Sequence, residues 1–599
     1  MSAIVDFFKR ILGITSETPG EAIVARVREL PSDYWTDGTL EPDDVFPEWR
    51  DIAPAKRDFG ITFSGGGTRS MSASIGQLRG LARNGWLQRV GYVSCVSGGS
   101  WAAVPFTFSQ YDDATLLGEA LEPGQITWDR LLTTTPRSMN NDIANASLNG
   151  GQIVVEILRR LLADNKATQT GLTTVLGHLV DRYALDDIFK QIGRVNELTR
   201  EATYARLLND AFLAVQVPGA DGQYFTWRAQ DANDIRDANP GMSFPNGFAI
   251  AHTDRPYVIA NAAALHRLPG YAQSPVPVEY TPLYSGIRQH ISPVLGGNYV
   301  WSAAYGTRSP SILLGAERIR GYVCATTRSA DRPFSLADVL ASSGAAPEFL
   351  LTSKYGADLV TSLASQAGEY FPHFPTWSVR EAALGPVLRD VPHADGGAIE
   401  NLGLLALLAR QVHNVIVFVN ANEHYGQSDD LRAICGVGTS GNFKEHHGLC
   451  QVFAPENWHD IQREFEACEK RSEPLVFCAS GWDVLPNRLF NVQGFRGLNI
   501  CFVYNYPVES WRTALPADVR DRVPRYPNQR GDKTDEQLLR FPWYETLAEQ
   551  RVNKNGRQTV RLLALQPPVT QLLSHLGCWS VTHDASRAKI ERLFQGRGL

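Results

Sequence analysis

Long apolar runs are missing from this sequence of 599 residues, in which no uninterrupted run reaches the length of roughly 18 residues that marks a membrane-spanning helix. No secretory signal pattern is recognisable either, so we expect a cytoplasmic protein. Basic residues do not outnumber acidic ones, since 57 Lys and Arg stand against 63 Asp and Glu and give a net charge of −6. This balance argues against nonspecific nucleic-acid binding and against strong attraction to anionic lipid.

Cysteine is scarce as well, with eight residues scattered along the chain and no Cys-x-x-Cys pair. A chain of this length can bury a large core, so we expect it to need no disulfides. His446, His447 and Cys450 could suggest a metal site. Adjacent histidines rarely point at one ion, however, and no second ligand pair has zinc spacing. We therefore expect a solvated loop there and predict no metal and no cofactor.

A glycine-rich turn is present in FGITFSGGGTRSM, Phe59 to Met71. Apolar residues alternate before the glycines, as in a strand, and recur at helical spacing after them. Gly65, Gly66 and Gly67 therefore form a strand-to-helix turn, where backbone N–H groups and the helix dipole favour an anion. No Lys-Ser/Thr follows the glycines and the Rossmann spacing is not met, which disfavours a nucleotide. A tight structural turn is the alternative.

A second strand-like run, Val90 to Val96, ends abruptly at Ser97-Gly98-Gly99. A serine between a buried strand and a helix start is typical of a nucleophile elbow, whose tight turn lifts the hydroxyl above the sheet edge. Cys95 stands where that pattern has a glycine, and it is compact enough to fit. Ser-Gly-Gly also occurs in many ordinary turns, which is the alternative here.

Asp395-Gly396-Gly397 ends a third extended stretch, and the β-branched run Val415 to Val419 follows after a short helix-forming segment. A run of this kind is typical of a buried parallel strand. Because ligands bind outside the carboxyl ends of strands in open α/β sheets, we expect Asp395 to meet the glycine turn and Ser97 in one crevice. Helix capping is the alternative for an Asp-Gly pair.

Taken together, these motifs resemble the patatin-like and cytosolic phospholipase A families of lipid acyl hydrolases. Three blocks occur in the order of those families: SGGGTR at Ser64–Arg69, VSGGSW at Val96–Trp101 and DGG…NL at Asp395–Leu402. Two more are similar to family segments, namely ASSGAAPEF at Ala341–Phe349 and VEYTPLYSG at Val278–Gly286. The resemblance covers roughly residues 58 to 422 and includes no motif in the last third of the chain.

The resemblance implies a catalytic dyad in which Ser97 is the nucleophile and Asp395 is the base. Burial beside the serine should raise the proton affinity of Asp395, since a free aspartate is a poor base. The resemblance also implies an oxyanion hole made by the backbone N–H groups of Gly65, Gly66 and Gly67.

Arg69 follows the glycine turn, and the resemblance implies that it stabilises the substrate phosphate or the oxyanion. Its alternative is a structural contact at the helix start. His393 precedes Asp395 by two residues and shares its strand face, as a histidine of a Ser-His-Asp triad would. A structural histidine is the favoured interpretation of His393.

The fold expected from the resemblance is α/β, with three layers, a central mostly parallel sheet, helices on both faces and a large inserted cap. Residues 1–55 are predicted to be an N-terminal helical extension. Residues 56–599 are predicted to be one catalytic domain, with cap or lid insertions within about 110–340 and with C-terminal elaborations, because Ser97 and Asp395 must meet. The polar stretch Asp231 to Gly247 is a candidate lid loop.

The predicted function is a serine lipid acyl hydrolase of the phospholipase A or lysophospholipase type, acting on phospholipid or lysophospholipid. Acyl transfer or general esterase activity through the same dyad is an alternative, and so is a catalytically inactive lipid-binding protein. The amphipathic segment SAIVDFFKRILGI, Ser2 to Ile14, suggests peripheral membrane contact, although such a helix more often docks on its own domain.

Overall fold

The structure is a computed structural model, and its described residues cover most of the chain outside the N-terminal twenty residues and a long segment between Ala146 and Thr203. They are residues 21–30, 42–146, 203–266, 274–292, 295–313, 320–327, 332–345, 372–378, 389–438, 447–527, 536–544, 549–552, 558–561 and 565–595. The amphipathic segment Ser2 to Ile14 therefore lies outside the described residues.

The strands range from two to ten residues in length. They are β1 Ala22–Arg28, β2 Phe59–Phe63, β3 Tyr92–Val96, β4 Tyr224–Thr226, β5 Phe248–Ile250, β6 Tyr257–His266, β7 Ser274–Tyr280, β8 Tyr284–Gly286, β9 His290–Ser292, β10 Leu295–Gly296, β11 Tyr299–Trp301, β12 Arg308–Leu313, β13 Arg320–Thr326, β14 His373–Thr376, β15 Arg389–Asp395, β16 Asn414–Val419, β17 Leu475–Val484, β18 Phe495–Tyr504, β19 Glu549–Val552 and β20 Gln558–Arg561.

The helices alternate with these strands in the first and last parts of the chain. They are α1 Pro42–Val45, α2 Gly67–Arg83, α3 Gly98–Phe108, α4 Asp113–Leu117, α5 Trp128–Leu132, α6 Met139–Ala146, α7 Thr203–Leu208, α8 Ala229–Ala238, α9 Leu336–Ser343, α10 Leu404–Ala409, α11 Asp429–Ile434, α12 Pro455–Lys470, α13 Glu509–Ala514, α14 Ala517–Arg520, α15 Glu536–Leu539, α16 Pro567–Thr582 and α17 Asp584–Gln595. A π-helical turn, Asn209–Leu213, continues α7.

One large sheet organises the described part of the chain. Its strand order is β12-β13-β1-β11-β8-β7-β6-β3-β2-β16-β18-β17, and β15 joins it through β6. The central strands β6, β3, β2, β16 and β18 run parallel to one another, and antiparallel strands extend the sheet on both sides. The α/β class with a parallel centre is as predicted. The centre is buried on both faces, since every residue of β16 is buried.

Helices cover both faces of the sheet, and strand β2 shows this directly. The ring of Phe59 stacks on Phe594 of α17 with centroids 5.2 Å apart. On the other face, Gly60 packs against α10, because a Cβ at Gly60 would lie 2.6 Å from Leu407 Cδ1. Alternate residues of one strand therefore contact helices on opposite sides.

Strands β3 and β15 meet head to head along one edge of β6. Val96 at the end of β3 pairs with Asn261, and Asp395 at the end of β15 pairs with the next residue, Ala262. Strand β3 runs parallel to β6 and β15 runs antiparallel to it, while β7 takes the opposite edge. Two strand ends that approach from opposite directions are thus brought together at one point of β6.

Three expectations from sequence are corrected by these elements. Residues 1–55 are not a helical extension throughout, because Ala22–Arg28 forms strand β1 within the large sheet. The alternation of Ile23, Ala25 and Val27, all buried, explains this strand. The stretch Asp231 to Gly247 is not all loop, since α8 extends to Ala238. Finally, Cys478 and Cys501 form a disulfide between β17 and β18.

Candidate active site

The glycine turn links β2 to α2 with backbone that only glycine adopts easily. Gly66 has φ +136° and Gly67 has φ +56°, and α2 begins at Gly67. The serine elbow between β3 and α3 also contains backbone with a positive φ, since Ser97 has φ +52° and ψ −124°. A non-glycine residue in this region is strained and persists only where its surroundings hold it.

The two turns pack directly on each other. A Cβ at Gly98 would lie 1.9 Å from the carbonyl oxygen of Gly67, and one at Gly65 would lie 3.2 Å from Ser97 Cβ. A Cβ at Gly99 would lie 2.4 Å from the carbonyl oxygen of Phe63. The glycines after Ser97 therefore let the start of α3 approach the start of α2. This packing places the backbone of Gly67 beside the serine.

Ser97 and Asp395 lie together where the head-to-head strands meet. The Ser97 side chain is within hydrogen-bonding reach of the Asp395 carboxylate and lowers the pKa of that carboxyl. Asp395 Oδ1 also accepts the backbone N–H of Gly397 at 2.8 Å. Both residues are almost fully buried, with exposed fractions of 6% for Ser97 and 7% for Asp395.

Burial raises the pKa of Asp395 to about 6, and the hydrogen bonds from Ser97 and Gly397 oppose that rise. The direction agrees with the expectation from sequence. A carboxylate with this pKa is a far better proton acceptor than a solvated one and is still ionised at neutral pH. Tyr204 of α7 lies close enough for the Asp395 charge to add to the rise that burial imposes on the tyrosine pKa.

The strained elbow is held by Ser343 at the end of α9. The N–H of Ser97 donates to Ser343 Oγ at 3.0 Å, and the Ser343 hydroxyl donates to the carbonyl of Asn261 at 2.7 Å. The hydroxyl of Ser100, in the first turn of α3, lies 2.7 Å from the same Ser343 oxygen. Ser343 thus ties the elbow to the point on β6 where β3 and β15 meet.

The role predicted for Gly65 is corrected. Its N–H donates to the carbonyl oxygen of Asn401 at 2.9 Å, so it is already used within the protein. The expectation that the amides of Gly65, Gly66 and Gly67 all face an oxyanion is therefore wrong for Gly65. The candidate donors are the N–H groups of Gly66 and Gly67, which stay a prediction.

Arg69 is buried beneath the glycine turn. Its Nε donates to the carbonyl of Asn420 at 3.0 Å, and its Nη1 donates to the carbonyl of Tyr544. Its Nη2 lies against Gly66, 2.4 Å from where a Cβ would be. These contacts match the structural alternative weighed for Arg69, in which it supports the turn.

A polar network around Asn420 completes the support of the glycine turn. Asn420 is fully buried and donates its backbone N–H to Ser64 Oγ at 2.8 Å. Its side-chain oxygen accepts from Gln77 Nε2 at 2.7 Å, and its Nδ2 donates to Ser70 and Ser74 at 3.1 Å each. The residue after β16 therefore fastens the end of that strand to α2.

His393 does not lie between Ser97 and Asp395. Its Nδ1 donates to the carbonyl of Val391 at 2.8 Å, and its Nε2 lies 2.7 Å from the Tyr305 hydroxyl. The ring is fully buried and packs edge-on against Phe374, with centroids 5.0 Å apart. These are the contacts of a structural histidine within an aromatic cluster.

Glu400 is a second buried carboxylate, in the segment between Asp395 and α10. It accepts the N–H of Leu402 at 2.6 Å and that of Leu405 at 3.4 Å. Burial raises the pKa of Glu400 to about 7, and the charge of Asp430 adds to the rise. Its carboxylate thus accepts backbone N–H groups just before and within the first turn of α10, which supports the start of that helix.

Four polar residues of this site were not assigned a role from sequence: Asn261, Ser343, Asn401 and Asn420. Ser343 and Asn401 lie inside blocks that carry the family resemblance, so their positions were flagged without a function. Asn420 directly follows a buried strand, a position where polar residues often serve a site in α/β folds. Asn261 lies inside β6 and has no comparable pattern around it.

A cavity of about 570 Å³ lies beside strands β1, β8, β11 and β13 of the large sheet. Its walls include neither Ser97 nor Asp395. The charges there are paired, as in the contact of Arg228 with Asp231 at 2.8 Å, and Arg26 lies over the ring of Trp301. The cavity is therefore distinct from the candidate active site.

Within the described residues, no group of three His, Cys, Asp or Glu side chains is arranged to hold a metal ion. Of the three residues considered for a metal, His446 lies outside those residues, and Cys450 is buried in a short 3-10 turn. None of the described helices combines the length and apolar composition needed to cross a bilayer.

Comparison with solved structures finds a distant likeness to human GIVD cytosolic phospholipase A2, with a TM-score of 0.42 and 12% identity over 90% of this chain and 60% of that one. The same human protein in complex with methyl gamma-linolenyl fluorophosphonate gives a TM-score of 0.39 at 12% identity, over 90% and 59%. The chain thus spans about three-fifths of the solved chains it matches. No protein-family model and no curated protein matches the sequence.

Proposed function

We propose that this protein is a serine lipid acyl hydrolase of the phospholipase A or lysophospholipase type, with Ser97 as nucleophile and Asp395 as general base. The observation that carries the proposal is the placement of the Ser97 side chain within hydrogen-bonding reach of the buried Asp395 carboxylate, whose pKa is raised to about 6. A base must reach the proton it removes and must have a pKa suited to the working pH. Asp395 meets both conditions without an intervening histidine.

In the proposed reaction, Ser97 Oγ attacks the ester carbonyl carbon and its proton passes to Asp395. The N–H groups of Gly66 and Gly67 stabilise the oxyanion of the tetrahedral intermediate, since rigid backbone donors cost no reorganisation. When the intermediate collapses, the alcohol leaves with the proton from Asp395 and the acyl group stays on Ser97. Asp395 then takes a proton from water, which attacks the acyl-enzyme. When this second intermediate collapses, Asp395 returns the proton to Ser97 Oγ and the fatty acid leaves.

The substrate class rests on the motif blocks and not on the dyad, because the chemistry of the dyad is the same for all carboxylic esters. Phospholipid and lysophospholipid are the substrates implied by the resemblance of Ser64–Arg69, Val96–Trp101 and Asp395–Leu402 to the lipid acyl hydrolase families. Transfer of the acyl group to an alcohol would use the same acyl-enzyme.

The test combines a fluorophosphonate probe with a digest of mixed phospholipids. We expect the wild type to be labelled at Ser97 and to release fatty acid together with a lysophospholipid or a deacylated product. Ser97→Ala should do neither, whereas Ser72→Ala, which removes another buried hydroxyl in the neighbouring helix, should do both. A folded wild type that stays unlabelled would point to the lipid-binding alternative. Fatty-acyl esters of an added alcohol would reveal acyl transfer.

A further inference from the structure

Asn401 connects the glycine turn, Gly65–Gly67, with the turn that follows Asp395. It lies in the loop between β15 and α10, after the 3-10 turn Gly396–Ala398. Its backbone carbonyl accepts the N–H of Gly65 at 2.9 Å. A single hydrogen bond therefore joins the segment after Asp395 to the start of the glycine turn.

The side chain of Asn401 fills the space between the same two turns. A Cβ at Gly65 would lie 2.1 Å from Asn401 Oδ1, and a Cβ at Gly397 would lie 2.7 Å from that same oxygen. Neither glycine has a positive φ, so backbone conformation does not demand glycine at either position. The carboxamide of Asn401 does, because any Cβ there would overlap its oxygen.

The opposite end of the carboxamide is fixed by an acidic side chain. Asn401 Nδ2 donates to Asp430 Oδ2 at 2.7 Å, in the first turn of α11. A carboxylate only accepts hydrogen bonds, which determines that the nitrogen faces Asp430 and the oxygen faces the glycines. The hydrogen bond to α11 thus fixes the orientation of the Asn401 side chain, which packs against both turns.

Gly397 lies between the Asn401 side chain and the Asp395 carboxylate and contacts both. Its N–H donates to Asp395 Oδ1 at 2.8 Å, and a Cβ on Gly397 would lie 3.2 Å from that oxygen. Gly65, on the other side of the carboxamide, is followed directly by Gly66 and Gly67. A shift of the Asn401 side chain would therefore move the carboxylate and the amide donors relative to each other.

We propose that Asn401 is a positioning residue that holds the oxyanion turn and the Asp395 turn at their working separation. The proposal rests on the proposed function and assigns Asn401 no contact with substrate. It requires a hydrogen bond between residues 401 and 430, in either direction, that fixes the side chain of residue 401 against Gly65 and Gly397.

The experiment is a swap of the hydrogen-bonding pair. Asn401→Asp keeps the shape but sets two carboxylates against each other, whereas Asn401→Asp combined with Asp430→Asn restores one donor and one acceptor. The added charge would face Asp395, Glu400 and Cys450, of which Glu400 and Cys450 also lie near Asp430. Each variant is measured with a soluble short-chain ester for kcat, KM and the pH profile.

We expect Asn401→Asp to lower kcat by roughly tenfold or more with KM within about twofold, as for loss of one charge-assisted hydrogen bond. Its pH profile should move to higher pH, because a nearby negative charge raises the pKa of Asp395. Asp430→Asn alone should cost about threefold. The swap should restore kcat to within about threefold of wild type, although the added charge keeps the profile displaced.

Other results would overturn the proposal. These are a fully active Asn401→Asp, a folded swap no better than that single variant, or loss of the folded state in all three variants. If Asn401→Asp alone fails to fold, an active swap still supports the proposal. Probe labelling of the wild type at Ser97, lost in Ser97→Ala, tests the dyad independently. A labelled wild type with unaffected Asn401 variants therefore rejects only the positioning role.

Discussion

The ends of β3 and β15 meet on neighbouring residues of β6, yet they present their functional groups in different ways. A strained backbone conformation with φ +52° directs Ser97 toward Asp395, and Ser343 holds the amide of Ser97 in place. Asp395 ends a regular strand, and burial raises the pKa of its carboxyl to about 6. The position of the nucleophile thus depends on backbone conformation, whereas the proton affinity of the base depends on burial.

This difference predicts two kinds of mutational effect. Changes around Ser97 should lower the rate equally at every pH, because they alter where the hydroxyl lies. Changes to the environment of Asp395 should move the pH profile, because they alter when the carboxylate is ionised.

The largest effect is expected at the base itself. Asp395→Asn keeps the shape of the side chain but cannot accept the Ser97 proton, so hydrolysis should fall by about 10³-fold or more, close to the level of Ser97→Ala. The double variant should be little worse than either single one, since the two residues act as a unit. Rates of hydrolysis and of probe labelling measure this.

His393→Ala is the matched control for that experiment. A dyad predicts a loss of less than about tenfold in a folded His393→Ala protein, because the ring contacts Tyr305 and Val391 and not the dyad. A folded but inactive His393→Ala, or an active Asp395→Asn, would instead support a histidine-based mechanism.

The glycine turn should show the next largest effect. Gly67→Ala forces a side chain into a left-handed conformation and displaces a proposed oxyanion donor, so kcat should fall by roughly 10²-fold. Gly85→Ala is the control, because Gly85 also has a positive φ, +68°, with nothing within 4 Å of its added Cβ. It should cost stability, read by thermal unfolding, while leaving kcat near wild type. Equal activities of the two variants would place the oxyanion hole elsewhere.

A smaller effect is expected from pH. Asp395 acts as a base only when ionised, so kcat/KM should be nearly constant above pH 7 and decline as pH falls through about 6, its pKa in the folded protein. At pH 5 roughly one tenth of the activity should remain. A rate profile recorded from pH 5 to 8 on a soluble ester checks this. Activity that stays level down to pH 5 would show that another group is the base.

The smallest effect should follow Ser343→Ala. The variant loses the contacts of the hydroxyl to Ser97, Ser100 and Asn261. The hydrogen bond to the Ser97 amide is the one that holds the elbow, and its loss, worth about 1 kcal/mol, should reduce kcat roughly fivefold. The pH profile should keep its midpoint, because Ser343 supports the geometry of the elbow. Ser72→Ala again serves as the control, with kcat expected near wild type. A displaced midpoint in Ser343→Ala would contradict the prediction that changes around Ser97 leave the pKa of Asp395 unchanged.

Much of the site is predictable from sequence because its turns are local structures. Glycines at strand exits, the serine before Gly98 and the aspartate before Gly396 each follow from the conformations that short segments adopt. The strand–turn–helix around Gly65–Gly67 and the buried parallel strand β16 were placed correctly on this basis. Strand β1 was not predicted although its residues alternate, because seven residues carry a weak pattern. They lie within residues 1–55, which were predicted to be a helical extension.

The sequence by itself determined which residues are candidates for the chemistry: Ser97, Asp395 and the glycines of the first turn. Only the tertiary structure decided how they meet, since β15 runs against the direction of β3 and reaches it end to end on β6. It also decided that the Gly65 amide is used by Asn401 and that Ser343 holds the elbow. These are contacts between segments far apart in the chain, and local propensity carries no information about which distant partner satisfies a polar group.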